Sequence, residues 1–516
     1  MKFQTKLLCL FAFLTFISSV NNLSAQSFFD DGLSPEFHKG RREALRALLP
    51  ENSAAVFFNN PVKNRSNDTD FTYRPNSDFY YFTGFREPNS ALIVFKTPQT
   101  IDGKSVNEII YIQPKDTAKE QWDGERLGVE GVKEKLGFEH VYLYSDFLKN
   151  PVIDLKQLKS VLSFDLGEIE RNDYNNPLKA MVTALKSAHS TPLKPADMAL
   201  NNIMERMRVI KTEEEIEILR KAVAISGYGH MESFRSIQPG TTERGIQGAH
   251  EFVHKAMGAE YVGYGSIVGS GNNSTILHYV DNGVVNLREG VVLMDVGAEY
   301  RGYSGDITRT APVKGVFSPE EKAIYEIVLK ALEAGTKACT VGADYREVDA
   351  VARKVIDEGL VKLGLVKAGE RHPYFPHGIG HHLGLDVHDR GAYGILEAGM
   401  ILTIEPGIYI PEGSPVDPKW WKIGIRIEDN ILITKDGNEN LSEFVPRTIA
   451  DIEKLMKEEG LLQKTGIPNF KIKFLLVEHA KWIQIQNDND LGMRITNRPR
   501  TNGLLQNNDL VLKGCL

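Results

Sequence analysis

Four acids and one histidine, each at a strand-like run or in a tight loop, are the residues of this sequence best suited to chemistry. Asp295 lies in Leu293-Met294-Asp295-Val296-Gly297, and Asp306 in Ser304-Gly305-Asp306-Ile307-Thr308-Arg309. His381 belongs to His377-Gly378-Ile379-Gly380-His381-His382-Leu383-Gly384. Glu405 follows Leu402-Thr403-Ile404 and precedes Pro406-Gly407, while Glu428 sits in Gly424-Ile425-Arg426-Ile427-Glu428-Asp429. An acid among apolar strand residues is costly to bury alone. A single one is ordinarily answered by an arginine or by backbone amides. Four of them, with an imidazole-rich loop, call for a cation. The donors are mostly hard oxygens, which suit Mn²⁺ and also Zn²⁺ or Co²⁺. One divalent ion would leave half of the negative charge uncompensated. Two ions, roughly 3.5–4 Å apart, balance it and can activate a water between them, so a two-metal centre is the better reading.

The elements that must hold these residues are legible from patterning. Residues 26–195 alternate short apolar strands (Ala54–Phe58, Ala91–Phe95, Glu108–Ile112) with helical stretches near Glu36–Leu49 and Pro177–Ala188, which predicts a mixed α/β domain. Ser190-Thr191-Pro192-Leu193-Lys194-Pro195 reads as a linker. Residues 200–460 carry two strong helix openers, the capping-box pattern Thr212…Glu215 and Ser318-Pro319-Glu320-Glu321. Strand-like runs follow each, Val291–Val296 after the first, then Met400–Ile404 and Gly424–Ile427 after the second. Helices then strands, twice over, predict one α+β domain.

Composition sets the outer limits. The chain has 516 residues, 42% hydrophobic and 25% charged, with a net charge of −7. These figures exclude a disordered chain, a collagen-like repeat and a polytopic membrane protein, and argue against coating nucleic acid. Three scattered cysteines, Cys9, Cys339 and Cys515, make neither a disulfide framework nor a CxxC metal site. Lys2 and Lys6, the apolar run Leu7–Ile17 and the small-residue end Leu23-Ser24-Ala25 predict a signal peptide over residues 1–25. The mature protein is then expected to be periplasmic or secreted, off the membrane once the signal is cleaved. Residues 461–516 are rich in Asn and Gln and suggest no chemistry.

Taken in order, Asp295, Asp306 eleven residues on, the His-Gly-x-x-His loop, Thr-x-Glu-Pro-Gly and Gly-x-Arg-x-Glu-Asp resemble the pita-bread metallopeptidases, above all the Xaa-Pro aminopeptidases (aminopeptidase P). Asp78-Phe79-Tyr80-Tyr81-Phe82-Thr83-Gly84-Phe85, Trp122-Asp123-Gly124, Ile210–Glu215 and Leu385-Asp386-Val387-His388-Asp389 add to a likeness running from about Phe71 to Met456.

The resemblance implies an α/β N-terminal domain of the creatinase/aminopeptidase P type followed by an α+β pita-bread catalytic domain. It implies that Asp295 holds one of two divalent ions, that His381 and Glu405 hold the other, and that Asp306 and Glu428 bridge them. It adds His278, His377 and His388 as active-site histidines and Arg426 as a brace for the ligand carboxylates. Glu405 would take the proton of the attacking water and return it to the prolyl nitrogen. His388, with His278, would stabilise the oxyanion. His382 is expected to point away, and the plainer reading of Arg426 is a pair with Glu428. The implied substrates are peptides with proline at the second position, and the implied assembly is a homodimer or homotetramer. Prolidase, which takes only Xaa-Pro dipeptides, is the nearest alternative, and a non-catalytic pita-bread peptide-binding module the next.

Overall fold

The computed structural model describes residues 31–149, 155–164, 177–188 and 198–466. The expected signal peptide, the 190–195 linker and the tail beyond residue 466 lie outside them. Helix α1 (Pro35–Leu48) starts where Ser34 accepts a hydrogen bond from Phe37 N at 3.0 Å, with proline in the first turn. Strand β1 (Ser53–Phe58) is buried along its whole length, as a continuous apolar run requires. After α2 (Ser77–Thr83) come β2 (Ala91–Ile101), β3 (Lys104–Ile112), β4 (Val141–Leu143) and β5 (Ser160–Ser163). They form a mixed sheet in the order β4-β3-β2-β1-β5, with β1 antiparallel to β2 and parallel to β5. The helix Pro177–Ala188 covers one face with Leu178, Met181 and Leu185.

Helix α3 (Met198–Val209) leads to α4 (Glu213–Ser236), and both halves of the expected capping box are made: Thr212 accepts from Glu215 N, and the Glu215 carboxylate accepts from Thr212 N at 2.9 Å. Then follow α5 (Glu243–Ala256), β6 (Ile267–Ser270), β7 (Val291–Asp295) and β8 (Thr308–Pro312), with β7 the middle strand of an antiparallel trio. The plan repeats. Helix α6 (Pro319–Ala338), opened by Ser318 and Glu321, and α7 (Tyr345–Lys362) precede β9 (Ile401–Ile404), β10 (Gly407–Ile410), β11 (Ile423–Arg426), β12 (Asp429–Thr434) and β13 (Gly437–Asn440). β12 lies between β9 and β13, and β10 pairs with β11, all antiparallel. The mixed α/β first part and α+β second part are those expected from the sequence.

Registry brings the acids together. Asp295 faces Thr308 across β7 and β8, and Ile404 faces Asp429 across β9 and β12, so Glu405 and Glu428 stand one step beyond the same pair. Two glycines permit the close approaches involved. A Cβ at Gly297 would stand 1.8 Å from Gly305 O, and one at Gly380 would stand 1.9 Å from Thr403 O. Only glycine lets the Asp295 turn lie on the Asp306 turn and the His381 loop lie on β9. Among the described residues no helix is long and apolar enough to cross a membrane. The segment from residue 461 begins as a short helix, Leu461–Thr465, with Leu462 buried.

Candidate metal centre

Asp306, His381 and Glu428 are buried, and each offers a ligand atom within 4.8 Å of the other two. His381 Nε2 stands 3.4 Å from Asp306 Oδ2 and 3.7 Å from Glu405 Oε1, which brings Glu405 to the same place. The His381 ring is aimed by its other nitrogen, Nδ1, which lies 3.0 Å from His382 O. Its loop is pinned to β9 by His381 N donating to Thr403 Oγ1 at 3.0 Å and Thr403 N donating to His381 O at 2.9 Å.

Asp295 joins the group through two side chains. Tyr264 Oη stands 2.5 Å from Asp295 Oδ1 and 2.5 Å from Asp306 Oδ1. Arg426 Nη2 donates to Asp295 Oδ2 at 2.6 Å. The plainer sequence reading had Arg426 pairing with Glu428; the guanidinium reaches Asp295 instead. It approaches Glu428 only through a hydroxyl, since Arg426 Nε donates to Thr308 Oγ1 at 3.1 Å and Thr308 Oγ1 donates to Glu428 Oε2 at 2.6 Å.

The electrostatics are those of an acid cluster built for cations. Burial raises the carboxyl of Asp306 above its ordinary range, with the Asp295 charge adding to the effect. Burial likewise raises Glu405 and Glu428, and neighbouring carboxylates push both further. Burial works against a charged His381, but the Asp306 and Glu405 carboxylates, with the His382 carbonyl, lift the imidazole to about 9. Asp306, His381 and Glu428, with Glu405 beside His381, are hard oxygens around one imidazole, and such donors fit divalent cations.

The remaining expected site residues surround this cluster. The His388 ring packs edge-on against His381 with centroids 4.2 Å apart and is exposed. Burial, then the nearby His381 and His278 charges, lower the pKa of His388. His278 is exposed, in the loop between β6 and β7. His377 Nε2 lies 2.8 Å from Tyr409 Oη, and Arg426 Nη1 donates to that same oxygen at 2.9 Å. Because His377 Nδ1 lies 2.9 Å from Gly378 O, Nδ1 donates there and Nε2 accepts from Tyr409. His382 turns the other way, with Nε2 3.2 Å from Ala392 O and the ring stacked on Tyr393.

Tyr264, Thr308 and Tyr409 escaped the sequence reading. An aromatic in Gly263-Tyr264-Gly265, a threonine in a strand and a tyrosine in an apolar run carry no local signal for the partners they meet. Trp122 of the first part is 87% exposed, whereas Asp78 is buried and paired with Arg208 and Arg390.

Comparison with known proteins places this arrangement. Residues 217–435 match the model of metallopeptidase family M24, and residues 38–160 match that of the aminopeptidase P N-terminal domain. The chain is 38% identical over 439 residues to the Xaa-Pro aminopeptidase of Escherichia coli strain K12, a match covering 82% of this chain and 97% of that protein. Its fold matches that of E. coli aminopeptidase P with the inhibitor Pro-Leu at a TM-score of 0.74 and 37% identity, covering 83% of this chain and 99% of the other. The zinc-substituted E. coli enzyme in complex with product matches at a TM-score of 0.73 and 36% identity, covering 83% and 99%.

Proposed function

The chain belongs to metallopeptidase family M24, with an aminopeptidase P N-terminal domain ahead of the peptidase domain, and from that premise we propose that it is an Xaa-Pro aminopeptidase, hydrolysing the bond between an N-terminal residue and a following proline. The observation that carries the reading is the buried convergence of Asp306, His381 and Glu428, with Glu405 beside His381.

Two divalent ions, Mn²⁺ by the hardness of the donors, would be held by Asp295, Asp306, His381, Glu405 and Glu428. When bound, they supply Lewis-acid polarisation of the scissile carbonyl and lower the pKa of water. The protein's own residues do the rest. Glu405, its carboxyl raised by burial toward neutrality, accepts the proton of the attacking water and returns it to the prolyl nitrogen. His388 and His278 present imidazoles to the developing oxyanion. Arg426 holds the Asp295 carboxylate in place, and through Tyr409 it fixes the tautomer of His377. Proline has no amide hydrogen and a fixed ring, so a pocket shaped to it rejects ordinary peptides.

We read the protein as exported, on the strength of residues 1–25, and as a homodimer or homotetramer. N-terminal sequencing of the mature protein and light scattering test those two points. The activity is tested by incubating the Mn²⁺-loaded enzyme with an Xaa-Pro-Pro tripeptide and an Xaa-Pro dipeptide. Release of the first residue from the tripeptide, abolished by Glu405→Ala, is the expected result. Cleavage of the dipeptide alone would sink the aminopeptidase reading in favour of a dipeptidase.

A further inference from the structure

Glu243, the first residue of α5, is 3% exposed and has no part in the metal centre. Its carboxylate receives five hydrogen bonds. Ser270 N, Ser270 Oγ and Asn273 Nδ2 donate to Oε1 at 2.7, 2.8 and 3.0 Å. Gly283 N and Tyr279 Oη donate to Oε2 at 2.6 and 3.0 Å. All five donors come from residues 270–283, the loop that carries His278. The start of a helix favours an anion, so the carboxylate suits its position as well as its partners.

The loop's shape follows from this grip. Tyr279 is drawn inward to Glu243, and Leu277 and Tyr279 both pack on the small cluster of Ile267, Leu293 and Tyr409. Leu277 and Tyr279 are thus held inward on either side of His278, and at this turn, just past the short helical stretch 271–275, His278 is left exposed. A second tie closes the loop: Asn282, held in the left-handed region at φ 45°, accepts from Val268 N at 2.9 Å and donates to Ser266 O at 2.9 Å.

We infer that Glu243 is a positioning residue for catalysis, holding the 270–283 loop around its buried carboxylate so that His278 faces the substrate; this rests on the peptidase reading given above. A carboxylate is the one side chain of this size that can accept from all five donors. Glutamine keeps the volume but sets an amide NH₂ against donors on one side.

The test is a double-mutant cycle on the metal-loaded enzyme with an Xaa-Pro-Pro tripeptide. Glu243→Gln is expected to lower kcat by about 10- to 100-fold with KM little changed, the scale of a misplaced catalytic group. In a His278→Ala background the same substitution is expected to cost nothing further. Tyr279→Phe removes one donor of the five, so it leaves the loop largely intact and gives a smaller loss that also vanishes in His278→Ala. It carries the cycle if Glu243→Gln fails to fold. Hydrogen exchange adds a readout independent of activity: residues 270–283 exchange faster in Glu243→Gln, while the β7 and β8 amides do not.

Additive losses, or a loss of kcat with unchanged exchange in the loop, overturn the inference. A His278→Ala enzyme with full activity also overturns it and leaves the peptidase reading standing. Wild-type enzyme that cleaves no Xaa-Pro peptide overturns that reading and, with it, the role assigned to Glu243.

Discussion

Arg426 and Asp295 meet as a buried ion pair, Nη2 to Oδ2 at 2.6 Å, and this pair ties the second half of the catalytic part to the first. Asp295 ends β7, Arg426 ends β11, and Arg426 is 3% exposed. Removing one member of such a pair strands the other, at about 3–5 kcal/mol. A cation beside Asp295 would offset that loss. Arg426→Gln is therefore expected to lower the Tm more in chelator-treated protein than in Mn²⁺-loaded protein. Scanning calorimetry with and without chelator measures the difference. Equal losses in both states would show that Asp295 does not share its charge with a bound ion.

Tyr264 bears on the same carboxylate from the other side. A single phenol between Asp295 and Asp306 softens the repulsion between them, and burial with those two charges keeps the phenol protonated, far above its ordinary pKa. Tyr264→Phe keeps the ring and removes the hydroxyl. Metal affinity is expected to fall about 10- to 100-fold, as for other residues that orient ligands. Competition titration against a chelator of known affinity reads it directly, and an unchanged affinity would exclude Tyr264 from the centre.

Away from the site, His230, His250 and His254 stack edge to face between α4 and α5, with centroids 4.6 and 4.7 Å apart. Burial lowers all three pKa values, His254 to about 4 and His230 to about 3. The unfolded chain binds these protons near pH 6.5, so between pH 6.5 and 4 it holds more protons than the native state. Stability is thus fully present above about pH 6.5 and falls with pH, by up to about 1.4 kcal/mol per unit for each histidine. His254→Leu is expected to flatten the dependence of the urea midpoint on pH between 7 and 4. A slope identical to that of the wild type would refute it.

The parts of this molecule that sequence makes legible are the local ones. Thr212 with Glu215 and Ser318 with Glu321 act within a single turn, so their capping boxes could be read directly. The acids stood out because Asp295, Asp306 and Glu428 sit among apolar neighbours that have no use for a lone charge. Contacts across the fold were not legible. Arg426 lies 131 residues from Asp295, and the choice of Asp295 over nearby Glu428 depends on how β7, β8 and β11 come together. Tyr264 and Thr308 are ordinary residues until that packing aims their hydroxyls. Glu243 carries no local signal of its role, because its five donors arrive from a loop whose path no local pattern specifies.

The same distinction between local and assembled structure gives a last prediction. Arg208, at the end of α3, is 1% exposed and ion-pairs with Asp78 of α2 and with Asp386 and Asp389, which flank His388. Lys211 Nζ also reaches Asp389, at 2.9 Å, and Arg390 reaches Asp78, at 2.9 Å. Three cations thus answer three acids, and Gly384 lies so close to Asp389 that a Cβ there would meet its carboxylate at 2.1 Å. Arg208→Met is expected to destabilise the fold by about 3–5 kcal/mol, because Asp78 and Asp389 stay buried without their main partner. Asp386 has a side chain 42% exposed, so Asp386→Asn should cost under about 1 kcal/mol. Urea unfolding separates the two. Asp386 also accepts from Ser77 Oγ at 2.6 Å, and an asparagine can keep only one of the partners Ser77 and Arg208, which loosens the His388 loop on one side, so kcat should fall more than stability does. If Asp386→Asn leaves kcat intact, the loop is held from Asp389 alone.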